Sequence, residues 1–217
     1  MHYYDLHAHS VASDDSRATV EQYLKWIGTL RRRGVDIDGI VLTEHRQFSL
    51  DVDYSALARE FGVTVLKGAE LDTRYGHFLV YGITADLVRK IDPTDVTMDP
   101  FRLMDAAEAT GGIAIPAHPG RAGIGLAAWM ADGIEFPQVS IVEALNGGNR
   151  PEEAAAAERL VAERGYSGIG GSDAHFVSAI ARCVTGFSSP ISSEGELVEA
   201  LRADEFTAVR TEDTQHA

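Results

Sequence analysis

The chain has one cysteine, Cys183, in 217 residues, so no internal disulfide can be built from it. It has no apolar run near the length of a membrane span. The opening Met1-His2-Tyr3-Tyr4-Asp5 lacks the basic and apolar regions of a signal peptide, and the expected location is the cytoplasm. Basic residues are few: 19 Lys and Arg stand against 33 Asp and Glu, a formal net charge of -14. That balance disfavours a stable nucleic-acid partner or an anionic membrane surface, although it leaves room for a small anion at a metal. No Pro-, Ser- or Gly-rich tract marks a linker, and no fixed-period repeat occurs. One domain spanning 1–217 is expected, with 45% hydrophobic residues to build its core. Gly147-Gly148 and Gly170-Gly171 lack a phosphate-loop context, and the missing Gly-x-Ser-x-Gly elbow, with no base argued for Cys183, speaks against a side-chain nucleophile.

Histidine is what the sequence does concentrate. Six of its eight histidines lie in short stretches: Asp5-Leu6-His7-Ala8-His9, Glu44-His45, Gly76-His77, His118-Pro119 and Asp173-Ala174-His175. A strand sends residues i and i+2 to one side, so His7 and His9 can aim two imidazoles into one cavity while Leu6 and Ala8 pack the other way. Imidazole and carboxylate are natural ligands of divalent zinc, manganese or iron. Nine candidates can be counted: His7, His9, Asp14, His45, Glu70, His77, His118, Asp173 and His175. A single ion uses fewer, which points to more than one.

The apolar pattern predicts alternating strands and helices. Strands are expected over Tyr3–His7, Gly39–Thr43, Thr64–Glu70, from His77, over Gly112–Pro116, Val139–Leu145 and Ser167–Gly170; helices over Thr19–Arg33, Tyr54–Phe61, Pro100–Thr110 and Pro151–Arg164. Such alternation argues for parallel pairing in a β/α layer or barrel. His7, His9, His45, Glu70, His118 and Asp173 all fall at or just beyond predicted strand ends, where β/α barrels assemble active sites.

Asp5-Leu6-His7-Ala8-His9-Ser10 with Ser13-Asp14, then Thr43-Glu44-His45, Gly68-Ala69-Glu70, Gly76-His77, Ala117-His118-Pro119 and Gly171-Ser172-Asp173-Ala174-His175 together resemble the PHP (polymerase and histidinol phosphatase) family across residues 3 to 187. The resemblance implies an α/β fold, a distorted (β/α)7 TIM-like barrel, and a phosphoesterase that hydrolyses a small phosphate ester with a metal-activated hydroxide. It implies two to three divalent ions (Mn, Zn or Fe) in a trinuclear centre. His7, His9, Glu70 and Asp173 would hold the first, Glu70, His77 and His118 the second, and Asp14, His45 and His175 the third, with Glu70 bridging. Glu70, Asp173 and His175 would be the catalytic groups.

Two positions depart from the family pattern. Glu44 replaces an aspartate before His45, and Asp15 stands where glycine commonly follows Asp14, so Asp15 competes with Asp14 as a ligand. Arg121, Arg46 and Arg17 follow the ligand motifs and are candidates to grip phosphate, with Arg121 preferred. The segment Ser193–Ala203 with Phe206–Val209 is similar to the final helix and strand of stand-alone members, so a whole enzyme is expected. The rival readings are an amidohydrolase-type binuclear site, for which Lys67 is the nearest available bridging lysine, and a non-catalytic metal-binding module, for which ligands should be missing.

Overall fold

The first strand, β1 (His2–Ala8), is followed by α1 (Val20–Arg32), whose Thr19 cap accepts from the Gln22 N–H while the Gln22 side chain returns a bond to the Thr19 N–H. The computed structural model describes residues 1–214. His216, set apart from the histidine motifs, and the last residues of the expected 1–217 domain lie outside the described residues. The chain continues through β2 (Gly39–His45), α2 (Ser55–Phe61), β3 (Thr64–Thr73), β4 (Gly76–Tyr81), α3 (Ala85–Lys90), α4 (Pro100–Ala109) and β5 (Ile113–Pro116). After α5 (Leu126–Ala131) come β6 (Ile141–Asn146), α6 (Pro151–Arg164), β7 (Ser167–Gly171), β8 (Cys183–Phe187), α7 (Glu194–Arg202), β9 (Phe206–Arg210) and α8 (Thr211–Thr214).

The strands form a curled, open sheet rather than a closed barrel. Seven run in the order β5-β4-β3-β2-β1-β8-β9, and β6 and β7 make a separate parallel pair. Parallel pairing holds for β1 with β2 and β2 with β3, but β4 runs antiparallel to both β3 and β5, and β8 antiparallel to β1 and β9. The expectation of a TIM-like barrel is corrected accordingly. The link from β3 to β4 is the short turn at Arg74 and Tyr75, which permits only a hairpin, whereas a parallel return needs a crossover of a dozen or more residues. Where β7 meets β1 the strands pack closely, but among the described residues backbone pairing there consists of an isolated bridge from Ala8 to Ala174 and single bonds such as Asp173 N–H to the His7 carbonyl, 2.7 Å.

Two layers fill the curl. One end is apolar, with Tyr4, Leu6, Val41, Leu66, Leu79, Tyr81, Ile115, Ile141 and Ile169 in one cluster closed by Leu197, Val198 and Leu201 of α7. Two residues away from Leu79 and Ile141, and four away from Leu66 past Gly68, the facing side chains become His77, Glu143 and Glu70, as the period of two requires. Strand β1 reaches the same end with a register shift between Asp5 and Ala8. Leu6 and Ala8 therefore do not share a face as a regular strand would demand. Leu6 joins the interior cluster, whereas Ala8 packs with Tyr23, Leu24 and Ile27 of α1.

Candidate metal centre

Three strand ends carry non-glycine residues at positive φ: Arg46 (51°) after β2, His118 (29°) after β5 and Asp173 (52°) after β7. Such strain persists only where surrounding contacts hold it. Here it turns the chain sharply as each strand leaves the sheet, and His45, His118 and Asp173 converge above the apolar layer.

At the centre lies Glu70, fully buried in β3. Its two oxygens serve different neighbours. Oε1 is 2.8 Å from His118 Nε2 and 2.9 Å from His77 Nδ1, while Oε2 is 3.2 Å from His7 Nε2, His9 Nε2 and His45 Nδ1. Asp173 completes the first side, its Oδ1 lying 3.4 Å from the Nε2 atoms of both His7 and His9. Possible donor atoms thus fall within 4.8 Å of one another in three groups: His7, His9, Glu70 and Asp173; Glu70, His77 and His118; and His9, His45 and His175.

The donor set fits divalent ions. His7 Nε2 and His9 Nε2 face each other at 3.0 Å, an arrangement that sets like lone pairs together unless a proton or cation lies between them. Buried His9 Nδ1 and His118 Nδ1 have no hydrogen-bond partner among the described residues.

The structure separates Asp14 from Asp15. Asp15 Oδ2 lies 3.1 Å from His175 Nε2 and 3.4 Å from His45 Nε2, whereas the Asp14 side chain is 80% exposed and sits 3.7 Å from Arg46. Asp15 is the carboxylate brought to His45 and His175. A one-residue step in the loop after β1 swings the neighbouring side chain into solvent.

The arginines also sort. Arg121 is engaged: its Nη2 donates to Asp173 Oδ2 at 2.7 Å and to Asn146 Oδ1 at 2.9 Å. Arg46 is looser, 41% exposed, with Asp14 and Asp72 at 3.7 and 3.6 Å. The Arg17 side chain is exposed. Lys67 faces away from the cluster and donates its Nζ to the carbonyls of Leu50 (3.1 Å) and Val52 (3.0 Å), so the lysine that an amidohydrolase-type bridge would need is not at the site.

Of the groups that orient the donors, Asp5 and Glu44 stand inside the sequence motifs, whereas Glu143 and Asn146 lie outside them. Glu143 of β6 is fully buried, with Oε1 2.9 Å from His7 Nδ1 and Oε2 accepting from the His118 N–H (2.7 Å) and Asn146 Nδ2 (2.9 Å). Buried Asp5 accepts from the N–H groups of His7, Ser172 and Ala181. Glu44 accepts from Ser10 N–H and from the hydroxyls of Ser10 and Ser13, both 2.6 Å, so it braces the loop after β1, while Ser13 Oγ accepts the His45 N–H. The available signal was polarity itself, an acidic residue and an asparagine inside the otherwise apolar Ile141-Val142-Glu143-Ala144-Leu145-Asn146.

Electrostatics follow from this crowding. Burial acts to lower the His7 pKa, yet the carboxylates of Glu143, Asp173 and Glu70 raise it well above its ordinary value. Burial acts to raise Glu70 and Asp173, but the imidazoles hold both well below the usual carboxylate range. His45 goes the other way, lowered to about 4 by burial.

These features define a mixed α/β scaffold that gathers histidines and carboxylates at one end of its strands. Residues 151–206 match the PHP-associated family model, so the resemblance carried by the motifs is borne out. The fold is that of PsfC from Pseudomonas syringae PB-5123 (TM-score 0.70, 19% identity, 99% of this chain and 93% of that one). It is also that of a two-domain Bacteroides vulgatus protein containing a predicted PHP-like metal-dependent phosphoesterase (0.62, 20%, 96% and 64%). Endonuclease Q in complex with a 27-mer duplex bearing an abasic lesion shares it as well (0.65, 13%, 93% and 56%). In sequence, the chain is 24% identical over 122 residues to the uncharacterized protein MJ1587 of Methanocaldococcus jannaschii, a match that covers 53% of this chain and 66% of that protein. No helix among the described residues is long and apolar enough to cross a membrane.

Proposed function

We propose that this chain is a metal-dependent phosphoesterase that hydrolyses a small phosphate ester at a trinuclear centre. The observation that carries the reading is the division of Glu70, one oxygen facing His77 and His118 and the other facing His7, His9 and His45. In this reading His7, His9, Glu70 and Asp173 hold the first ion, Glu70, His77 and His118 the second, and His45, His175 and Asp15 the third, Asp15 taking the place expected of Asp14. Manganese, zinc and iron all suit this nitrogen and oxygen donor set.

Divalent ions here supply Lewis acidity toward phosphoryl oxygens and lower the pKa of a water toward neutrality. The protein's own groups do the rest. Glu70, Asp173 and Asp15 bring three negative charges to the site, so a full complement of dications leaves it net positive and attractive to phosphate. Asp173 presents one oxygen inward because Arg121 and Asn146 occupy the other. His175, with Nδ1 3.0 Å from the Asp173 carbonyl, has Nε2 turned to the cluster beside Asp15. Arg46, loosely held at the rim, is the guanidinium free to take a phosphate oxygen, whereas Arg121 serves Asp173. Arg17 is assigned no contact.

Reconstitution in excess manganese, zinc and iron, followed by elemental analysis and a panel of phosphomonoesters, small diesters, abasic DNA, amides and lactones, tests the proposal. It expects more than one ion per chain and turnover of a small phosphoester. At most one ion per chain refutes the trinuclear centre, and activity confined to amides or lactones refutes the phosphoesterase.

A further inference from the structure

Among the described residues strand β6 pairs only with β7, and no backbone ladder joins it to β5. Side chains span that gap instead. Glu143 Oε2 accepts the main-chain N–H of His118, the residue two beyond the end of β5, at 2.7 Å. The other oxygen reaches across to β1 and meets His7 Nδ1 at 2.9 Å. Room for this pair depends on Gly171 of β7, where a Cβ would come within 2.4 Å of His7 Cβ and 2.7 Å of Glu143 Oε1.

The chain of contacts continues beyond Glu143. Asn146, on the same strand, donates Nδ2 to Glu143 Oε2 (2.9 Å) and lies 3.4 Å from Asp173 Oδ2, while its Oδ1 accepts from Gly148 N–H (2.8 Å) and Arg121 Nη2 (2.9 Å). Arg121 closes the circuit on Asp173 Oδ2 at 2.7 Å. Two members of the first donor group, His7 and Asp173, and one of the second, His118, are therefore tied to one strand that contributes no donor to any of the three groups.

We propose that Glu143 is a metal-positioning residue: it fixes His7 as the Nδ1–H tautomer with the Nε2 lone pair turned to the cluster and, through Asn146 and Arg121, sets which oxygen of Asp173 faces inward. A neutral imidazole carries one ring proton, so a carboxylate at Nδ1 determines that Nε2 is the free acceptor. Glutamine cannot reproduce this. With its NH2 toward His7 it makes Nδ1 an acceptor and moves the proton to Nε2; turned over, it sets NH2 against the His118 N–H.

The inference rests on the metal reading above, and the test separates the two. Full-length wild type and E143Q are loaded with zinc and titrated against a competing chelator, with fold checked by near- and far-UV circular dichroism and His ring 15N spectra recorded on the loaded proteins. Wild type should show His7 protonated at Nδ1, and E143Q should lose that signal and bind its weakened ions about 10- to 100-fold less tightly. N146A keeps the His7 contact and should lose less affinity. If E143Q does not fold, N146A decides, with a threefold or greater loss of affinity expected. Affinity within threefold of wild type in folded E143Q or, failing that variant, in N146A, or an unchanged His7 ring signal in E143Q, overturns the positioning role alone. A wild-type chain that takes up no metal overturns the metal reading and this inference with it.

Discussion

Replacing Glu70 by glutamine keeps the shape of the side chain and removes its charge. The native carboxylate offers an acceptor oxygen on each side, toward His118 and His77 at 2.8 and 2.9 Å and toward His7, His9 and His45 at 3.2 Å. An amide offers one. Whichever way the introduced amide turns, its NH2 points at imidazole nitrogens on the other side and occupies lone pairs that a metal needs. At least one ion should therefore be lost outright. The charge deletion weakens the ion that remains on the oxygen side, by about 100-fold if a directly ligating carboxylate counts for at least as much as the upper end of the 10- to 100-fold typical of groups that merely orient ligands, or about 2.8 kcal/mol at 1.4 kcal/mol per decade. The ion assigned to His45, His175 and Asp15 should suffer least. Elemental analysis after gel filtration, with chelator competition for affinity, reads both quantities. Full metal content with affinities within threefold of wild type would refute the bridging role, and near-wild-type phosphoester turnover would do so independently.

Asp15→Asn should remove metal from the third group and Asp14→Asn should leave content unchanged, a pair that elemental analysis resolves; equal effects would contradict the placement of Asp15. Arg121→Lys should lower kcat about tenfold through misplacement of Asp173, because an ammonium cannot bond Asp173 and Asn146 with the same planar fork, whereas Arg46→Ala should raise KM; steady-state kinetics on the best panel substrate distinguishes them. Burial raises Asp5 from 3.8 to about 6 in the folded protein. Its contribution to the stability of the metal-free chain is therefore fully present below about pH 4 and lost as pH rises through 6, an amount of about 3 kcal/mol. Urea titrations of metal-free wild type and Asp5→Asn between pH 3.5 and 7 should show the variant less stable throughout but with a flatter slope.

Much of the site was legible because its chemistry is local. His7 with His9, Glu44 with His45 and Asp173 with His175 lie a few residues apart, and the strands that carry them announce themselves by apolar runs ending at those residues. Helix α6 begins and ends at Pro151 and Arg164 as its first-turn proline and following Gly165 require, and Gly62 closes α2 in the left-handed conformation. A six-residue helix such as α5 and the strand β8 went unread, for segments so short carry too little periodicity to separate helix from strand.

What the sequence by itself determined, then, is the inventory: an acidic chain rich in strand-end histidines, with the donor types for several divalent ions. The tertiary structure decided the rest. Which strand lies beside which depends on hydrogen bonds between distant segments, so neither the antiparallel β4 nor the opening between β5 and β6 is written in any local pattern. The choice of Asp15 over Asp14 turns on the path of one loop, and that path is held by Glu44 bonds to Ser10 and Ser13 more than thirty residues away. Glu143 belongs to no motif at all. It meets its partners only because folding buries the carboxylate away from solvent, where the groups within reach are His7 Nδ1, the His118 N–H and Asn146.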